Sequence, residues 1–129
     1  MTPLWTNSEL SRMSMAYELA RDSECPNRHG CVIYKKSYSV GMGVNKDKTH
    51  PAAVCYYSGC IHAEFAAIVA SSKKDLKGAH LYVARAMRSK GEPIGISRPC
   101  RMCMKMIRAA EIKKIYYTTR DGNWTMERL

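Results

Sequence analysis

Apolar residues recur at Leu10, Met13, Tyr17 and Ala20, the spacing that lines one face of a helix, and Thr6 with Glu9 forms a capping-box pattern just before them. The pattern predicts an amphipathic helix ending near Asp22. Pro26, Asn27 and Gly30 then mark a turn. Cys31–Tyr34 and Val40–Asn45 read as two strands joined by the polar stretch Lys35–Ser39, a hairpin. Lys46–Cys60 shows no periodicity and is long for a passive connector, so it reads as a functional loop. Ile61–Ser72 is alanine-rich and apolar on most sides, which predicts a buried helix ended by Asp75–Gly78. His80–Ala86 follows as a strand, Met87–Arg98 as a loop, Cys100–Ala110 as a helix and Lys114–Thr118 as a strand. Strands separated by helices of this length need parallel crossovers on a shared sheet. The expected class is therefore three-layer α/β/α with a mixed central sheet of about four to five strands, in one domain spanning residues 1–129.

Composition leaves this picture intact and narrows the partners. With 46% apolar and 25% charged residues in 129, the chain sits near the globular average, which excludes disordered, collagen-like and coiled-coil classes. The longest apolar runs, Ala52–Tyr57 and Phe65–Ala70, are too short to span a bilayer. Met1–Met15 has no basic stretch followed by an apolar one, so a cytoplasmic, reducing setting is expected. The net charge of +10 is uneven: residues 1–72 carry +1 and residues 73–129 carry +9. A positive half concentrates anions, which favours nucleotides or nucleic acid as partners, although a solvated basic surface explains the charge equally well. Six cysteines in such a chain suggest metal ligation or free thiols rather than a disulfide framework.

The metal reading rests on two short runs. Pro99-Cys100-Arg101-Met102-Cys103 places two thiols on one face at the start of a helix, where the helix end lowers the cost of ionising them. His62-Ala63-Glu64 supplies a third ligand. Residues two apart diverge by about 200° within a helix, so both can face one ion only if His62 lies at its very start. His62, Cys100 and Cys103 would leave the fourth tetrahedral position of zinc for water, the composition of a catalytic site, with Glu64 as a nearby base.

Together the H-x-E and P-C-x-x-C runs resemble the zinc-dependent cytidine and deoxycytidylate deaminase superfamily, over about Gly30 to Thr118. The resemblance implies zinc on His62, Cys100 and Cys103. It also implies that Glu64 takes a proton from the attacking water and returns protons to the ring nitrogen and the departing ammonia. Asn45, at the end of the second strand, matches the residue that contacts the substrate's sugar, and Ala63 falls in the substrate-binding stretch. Histidine as the first ligand is similar to the branch holding deoxycytidylate, tRNA adenosine, riboflavin-pathway and polynucleotide cytosine deaminases. Small size, the Gly43-Val44-Asn45 run and the Lys113-Lys114-Ile115-Tyr116-Tyr117 run resemble deoxycytidylate deaminases best, which implies conversion of dCMP to dUMP with release of ammonia. Relatives of this kind commonly form homo-oligomers.

Two other functions compete. A deaminase acting on polynucleotide cytosine or tRNA adenosine would use the basic half, with Trp124 and Tyr116 as stacking groups, although aromatic residues are more often core. A non-catalytic, zinc-stabilised nucleic-acid-binding protein would take a fourth ligand from Cys55, Cys60 or His50 and leave Glu64 without a role. Cys25, Cys55 and Cys60, with one of His29, His50 or His80, could hold a second, structural zinc; buried or unpaired thiols are the simpler reading. Arg98, next to Pro99, is a contact to a substrate phosphate, a solvated surface group, or a cover for the Met87–Ser97 loop.

Overall fold

The computed structural model describes residues 5–25, 27–46, 61–86, 96–119 and 123–129. Helix α1 (Asn7–Arg21) opens with the predicted capping box. The Thr6 backbone N–H donates to Glu9 Oε1 at 2.8 Å and the Glu9 N–H donates to Thr6 Oγ1 at 3.1 Å. The buried face differs from the expected one: it is Met13, Ala16 and Ala20, while Leu10 is 46% exposed. Gly30 is the reason. A Cβ there would lie 2.3 Å from the Ala16 carbonyl oxygen and 2.4 Å from the Ala20 nitrogen, so the helix rests directly on the sheet at that glycine and its contact line is rotated away from Leu10.

Strands β1 (Arg28–Lys35) and β2 (Tyr38–Val44) form the predicted antiparallel hairpin, closed through Lys36 in the left-handed region (φ 55°). Helix α2 (Ala63–Val69) follows. It is shorter than the Ile61–Ser72 expected, and its last residue, Val69, is half exposed. A separate short helix, α3 (Lys73–Leu76), occupies the segment expected only to end α2; Ser72 caps it through the Asp75 N–H. Strand β3 (His80–Ala86), helix α4 (Arg101–Ala109) and strand β4 (Lys114–Thr118) fall where predicted, and a further strand, β5 (Trp124–Arg128), was not anticipated.

The sheet is mixed, in the order β2-β1-β3-β4-β5, with β3 and β4 parallel and every other pair antiparallel. Alternation along the strands divides the core. Cys31, Ile33, Leu81, Val83 and Ile115 face α2, α3 and α4, against Ala63, Ala67, Leu76, Cys103, Met104 and Ile107. Tyr82, Ala84 and Tyr116 face α1, against Met13 and Ala16. This is the α/β/α layering expected from the sequence.

Candidate active site

Two helix starts converge on one point. His62 is the N-cap of α2 and Cys100 the N-cap of α4; both have extended backbone, and neither side chain caps its own helix. His62 Nδ1 lies 3.7 Å from Cys100 Sγ and 3.6 Å from Cys103 Sγ. The three ligand atoms all fall within 4.8 Å of one another, the one such His/Cys/Asp/Glu group among the described residues. Zinc bonds of about 2.3 Å to sulfur and about 2.05 Å to nitrogen, at a tetrahedral angle, place those atoms about 3.6 Å apart, so this donor set fits the ion. Burial lowers the pKa of His62 and favours the neutral imidazole that ligation requires.

Glu64 sits in the first turn of α2, 5% exposed. Burial pushes its carboxyl up to about 7, against the lowering effect of its own backbone N–H and of the Cys103 thiol. His62, Glu64 and Cys100 open on a cavity of about 260 Å³ that is also lined by Ala63, Asn27, His29, Asn45, Ser97 and Arg98. All seven residues named from the sequence therefore belong to one site: six line the cavity and Cys103 completes the ligand group behind them.

Their roles in the wall differ. Asn45 Oδ1 accepts from Ser23 Oγ at 2.6 Å and from the His29 backbone N–H at 2.9 Å, and Nδ2 donates to the Asn27 carbonyl, so most of its amide is used in tying the end of β2 to the start of β1. Residues 87–95 of the loop that Arg98 was expected to cover lie outside the described residues, and Arg98 does not stand free. Its Nε and a terminal nitrogen grip Glu127 of β5, at 2.8 Å to Oε2 and 3.3 Å to Oε1.

Asn27, His29 and Ser97 complete the cavity and were not assigned to it by sequence. Ser97, buried, donates to the Val83 carbonyl at 2.8 Å and accepts from the Thr118 N–H at 2.7 Å, with Thr118 Oγ1 also 2.7 Å away. These bonds fasten the chain entering Pro99-Cys100 to the middle of β3 and the end of β4. His29, considered only as a ligand for a second zinc, lines this cavity instead. Burial above all, helped by nearby Arg85 and His62, brings its pKa down to about 4, which leaves it neutral near pH 7.

Among the described residues no second metal group forms; Cys25 is buried with its sulfur 3.5 Å from the Asn45 carbonyl, and His50, Cys55 and Cys60 lie outside the described residues together with most of the Lys46–Cys60 loop. Tyr116 and Trp124 are not free stacking platforms. Tyr116 is 2% exposed and stacks on Tyr82 at 4.1 Å, and Trp124 stacks on Trp5 at 3.9 Å, so both are spent in the core beneath α1.

The sheet order, the paired helix starts and the His/Cys/Cys group define a zinc-binding deaminase domain. The chain belongs to the cytidine and deoxycytidylate deaminase family, whose zinc-binding region matches residues 6–119. The fold is similar to that of the dCMP deaminase from the cyanophage S-TIM5 in apo form, with 22% identity and a TM-score of 0.66 over 90% of this chain and 86% of that one. It is also similar to cytidine deaminase from Burkholderia pseudomallei, with 18% identity and a TM-score of 0.65 over 96% and 93% of the two chains. Acinetobacter baumannii RibD (form 2) shares 26% identity at a TM-score of 0.55, covering 84% of this chain and 27% of that longer one. No curated protein matches the chain.

Proposed function

We propose that this deaminase is a zinc-dependent hydrolase that converts dCMP to dUMP with release of ammonia. The observation that carries the reading is the buried Glu64 carboxyl in the same cavity as His62 and Cys100, with Cys103 completing the ligand group. His62 Nδ1 and the two cysteine sulfurs would hold the ion, which when bound acts as a Lewis acid that makes water easier to deprotonate. Glu64 moves the protons. A carboxyl near 7 accepts and donates with similar ease at neutral pH, so it carries one proton from the water attacking C4 to N3, and then carries the second, from the hydroxyl now on C4, to the departing amino group. Water and the amino-pyrimidine thus become a carbonyl and ammonia, with Glu64 returned to its starting state.

Ala63 gives the cavity a small, flat stretch of wall beside the ligands, and Asn45 has at most one amide hydrogen left for the sugar. Arg98 offers a cation to the substrate phosphate. The burial of Tyr116 and the stacking of Trp124 on Trp5 favour a free nucleotide over a polynucleotide, and the cyanophage enzyme of similar fold is a dCMP deaminase. The described cysteines, Cys25, Cys31, Cys100 and Cys103, are unbridged, which suits a reducing compartment. Ammonia release from dCMP, cytidine, single-stranded DNA and tRNA, measured in parallel, tests the proposal. dCMP should be the fastest substrate; faster turnover of DNA or tRNA overturns the substrate, and no ammonia from any of them overturns the activity.

A further inference from the structure

The cavity wall has one permanent cation among the described residues, Arg98. Burial keeps His29 neutral at working pH. That single cation is already engaged: the Glu127 carboxylate meets its guanidinium at two points, 2.8 and 3.3 Å, and Glu127 Oε2 also accepts from the Tyr117 hydroxyl at 2.6 Å. The two-point fork is the geometry in which a guanidinium takes a phosphate. The strand places Glu127 there. Trp124 and Met126 of β5 pack under α1, so alternation turns Glu127 to the opposite face, where Tyr117 and Arg98 meet it.

We infer that Glu127 is a specificity-determining residue of this site: its carboxylate occupies the Arg98 fork that a substrate phosphate would take, and so sets how strongly the enzyme prefers a nucleotide over its nucleoside. The inference rests on the deaminase reading above. The pair is half exposed, with side-chain exposures of 46% and 34%, and an ion pair so open to solvent is weakly held. A phosphate dianion carries more charge than a carboxylate and displaces it. Glu127 remains on Tyr117, close enough for its charge to weaken phosphate binding. A neutral residue at 127 would free the fork and remove that repulsion.

The test is the ratio of kcat/KM for dCMP to kcat/KM for deoxycytidine in the zinc-loaded wild type, Glu127→Gln, Arg98→Ala and the double variant. Glu127→Gln should raise the ratio about two- to fivefold, chiefly through KM for dCMP. Arg98→Ala should lower it about tenfold or more, the scale of a lost charged hydrogen bond. The double variant should stay far below wild type and only slightly above Arg98→Ala, because most of the effect of Glu127 runs through the Arg98 fork and only its direct repulsion of the phosphate survives without it. Glu127→Thr, neutral and suited to a strand, is measured alongside in case Glu127→Gln does not fold. An equal fall in kcat on both substrates, with the ratio unchanged, would make Glu127 a structural brace and overturn the inference, as would a ratio that falls. If the wild type turns over neither substrate, the proposed function fails separately. Binding of inorganic phosphate, followed by thermal protection, then decides: tighter binding to Glu127→Gln that Arg98→Ala abolishes supports the inference, and equal affinity in wild type and Glu127→Gln overturns it.

Discussion

The two faces of the sheet are built from different materials. Under α1 the packing is aromatic, with Tyr82 on Tyr116 at 4.1 Å and 9°, Trp5 on Trp124 at 3.9 Å and 12°, and the Arg12 guanidinium over Tyr34 at 4.4 Å. Under α2 and α4 the contacts in the core are small or aliphatic, and α2 lies as close to the sheet as α1 does at Gly30: a Cβ on Gly43 would fall 2.5 Å from the Ala63 carbonyl oxygen. Adjacent residues of one strand, Tyr82 and Val83, serve opposite faces. Large rings fill the space beneath a helix that has no part in the cavity. On the other face the close approach sets α2 where its N-cap, His62, reaches the two cysteine sulfurs at the start of α4. The α1 face packs without part in the cavity, whereas the α2 and α4 face carries the larger apolar core and also a buried carboxyl and two thiols.

Substitutions should separate the faces. The largest effect is expected from Glu64→Ala, which removes the proton carrier and no ligand: kcat should fall by about 10²- to 10⁴-fold while zinc content and fold persist. Ammonia release together with metal analysis checks it, and activity above a few per cent would sink the mechanism. Tyr116→Ala, on the aromatic face, should cost about 3–5 kcal/mol of unfolding free energy, the range for losing a large buried ring, with zinc still bound and kcat preserved wherever the protein is folded. Denaturant unfolding with and without chelator gives the contrast, since chelation should lower stability by a similar increment in wild type and variant. Zinc loss in Tyr116→Ala would mean that the faces are coupled.

Gly43→Ala is the complementary change and should cost about 1–3 kcal/mol, because the new methyl meets α2 backbone that cannot yield. Here zinc affinity should fall as well, since α2 carries His62; unchanged affinity in a metal-competition titration would contradict the close-approach argument.

The smallest effect concerns pH. Folded His29 titrates near 4 and an unfolded histidine near 6.5, so the unfolded chain binds the proton first. The contribution of His29 to stability is therefore complete above about 6.5 and is lost as pH falls toward 4. Glu64 is shifted in the opposite sense, so the comparison is made between Glu64→Gln and Glu64→Gln with His29→Gln, in which that carboxyl cannot titrate. The acid limb should be flatter in the double variant, and equal slopes would remove His29 from the account.

What could be read from the sequence follows the range of each signal. The capping box spans four residues, Cys100 and Cys103 share one turn, and His62 and Glu64 straddle a helix start, so each is a local pattern with a local cause. Strands β3 and β4, with fully buried Leu81, Val83 and Ile115, declare themselves by composition. Strand β5 does not: none of Trp124–Arg128 is fully buried, and the Asp121-Gly122 pair before it was the available hint of a hairpin. Without β5 there is no Glu127, and Arg98 is left looking unpaired. Ser97 is harder still, because its partners Val83 and Thr118 lie 14 and 21 residues away and no periodicity links a hydroxyl to two strands at once. Leu10 was misplaced because a glycine on another element, Gly30, decides which side of α1 touches the sheet.

The separation of the ligands along the chain also bears on how long the folded state lasts. Cys100 and Cys103 meet within a single turn, but His62 is 38 and 41 residues away and joins them only when β3 has been laid beside β1. Closing so long a loop costs chain entropy before the imidazole can contribute, so the complete ligand set forms late in folding. An interaction completed after the rate-limiting barrier leaves the speed of folding nearly untouched and slows the reverse step. The half-life of the native chain is then governed by the free zinc around it, and scarcity of the ion would appear first as faster turnover of the protein.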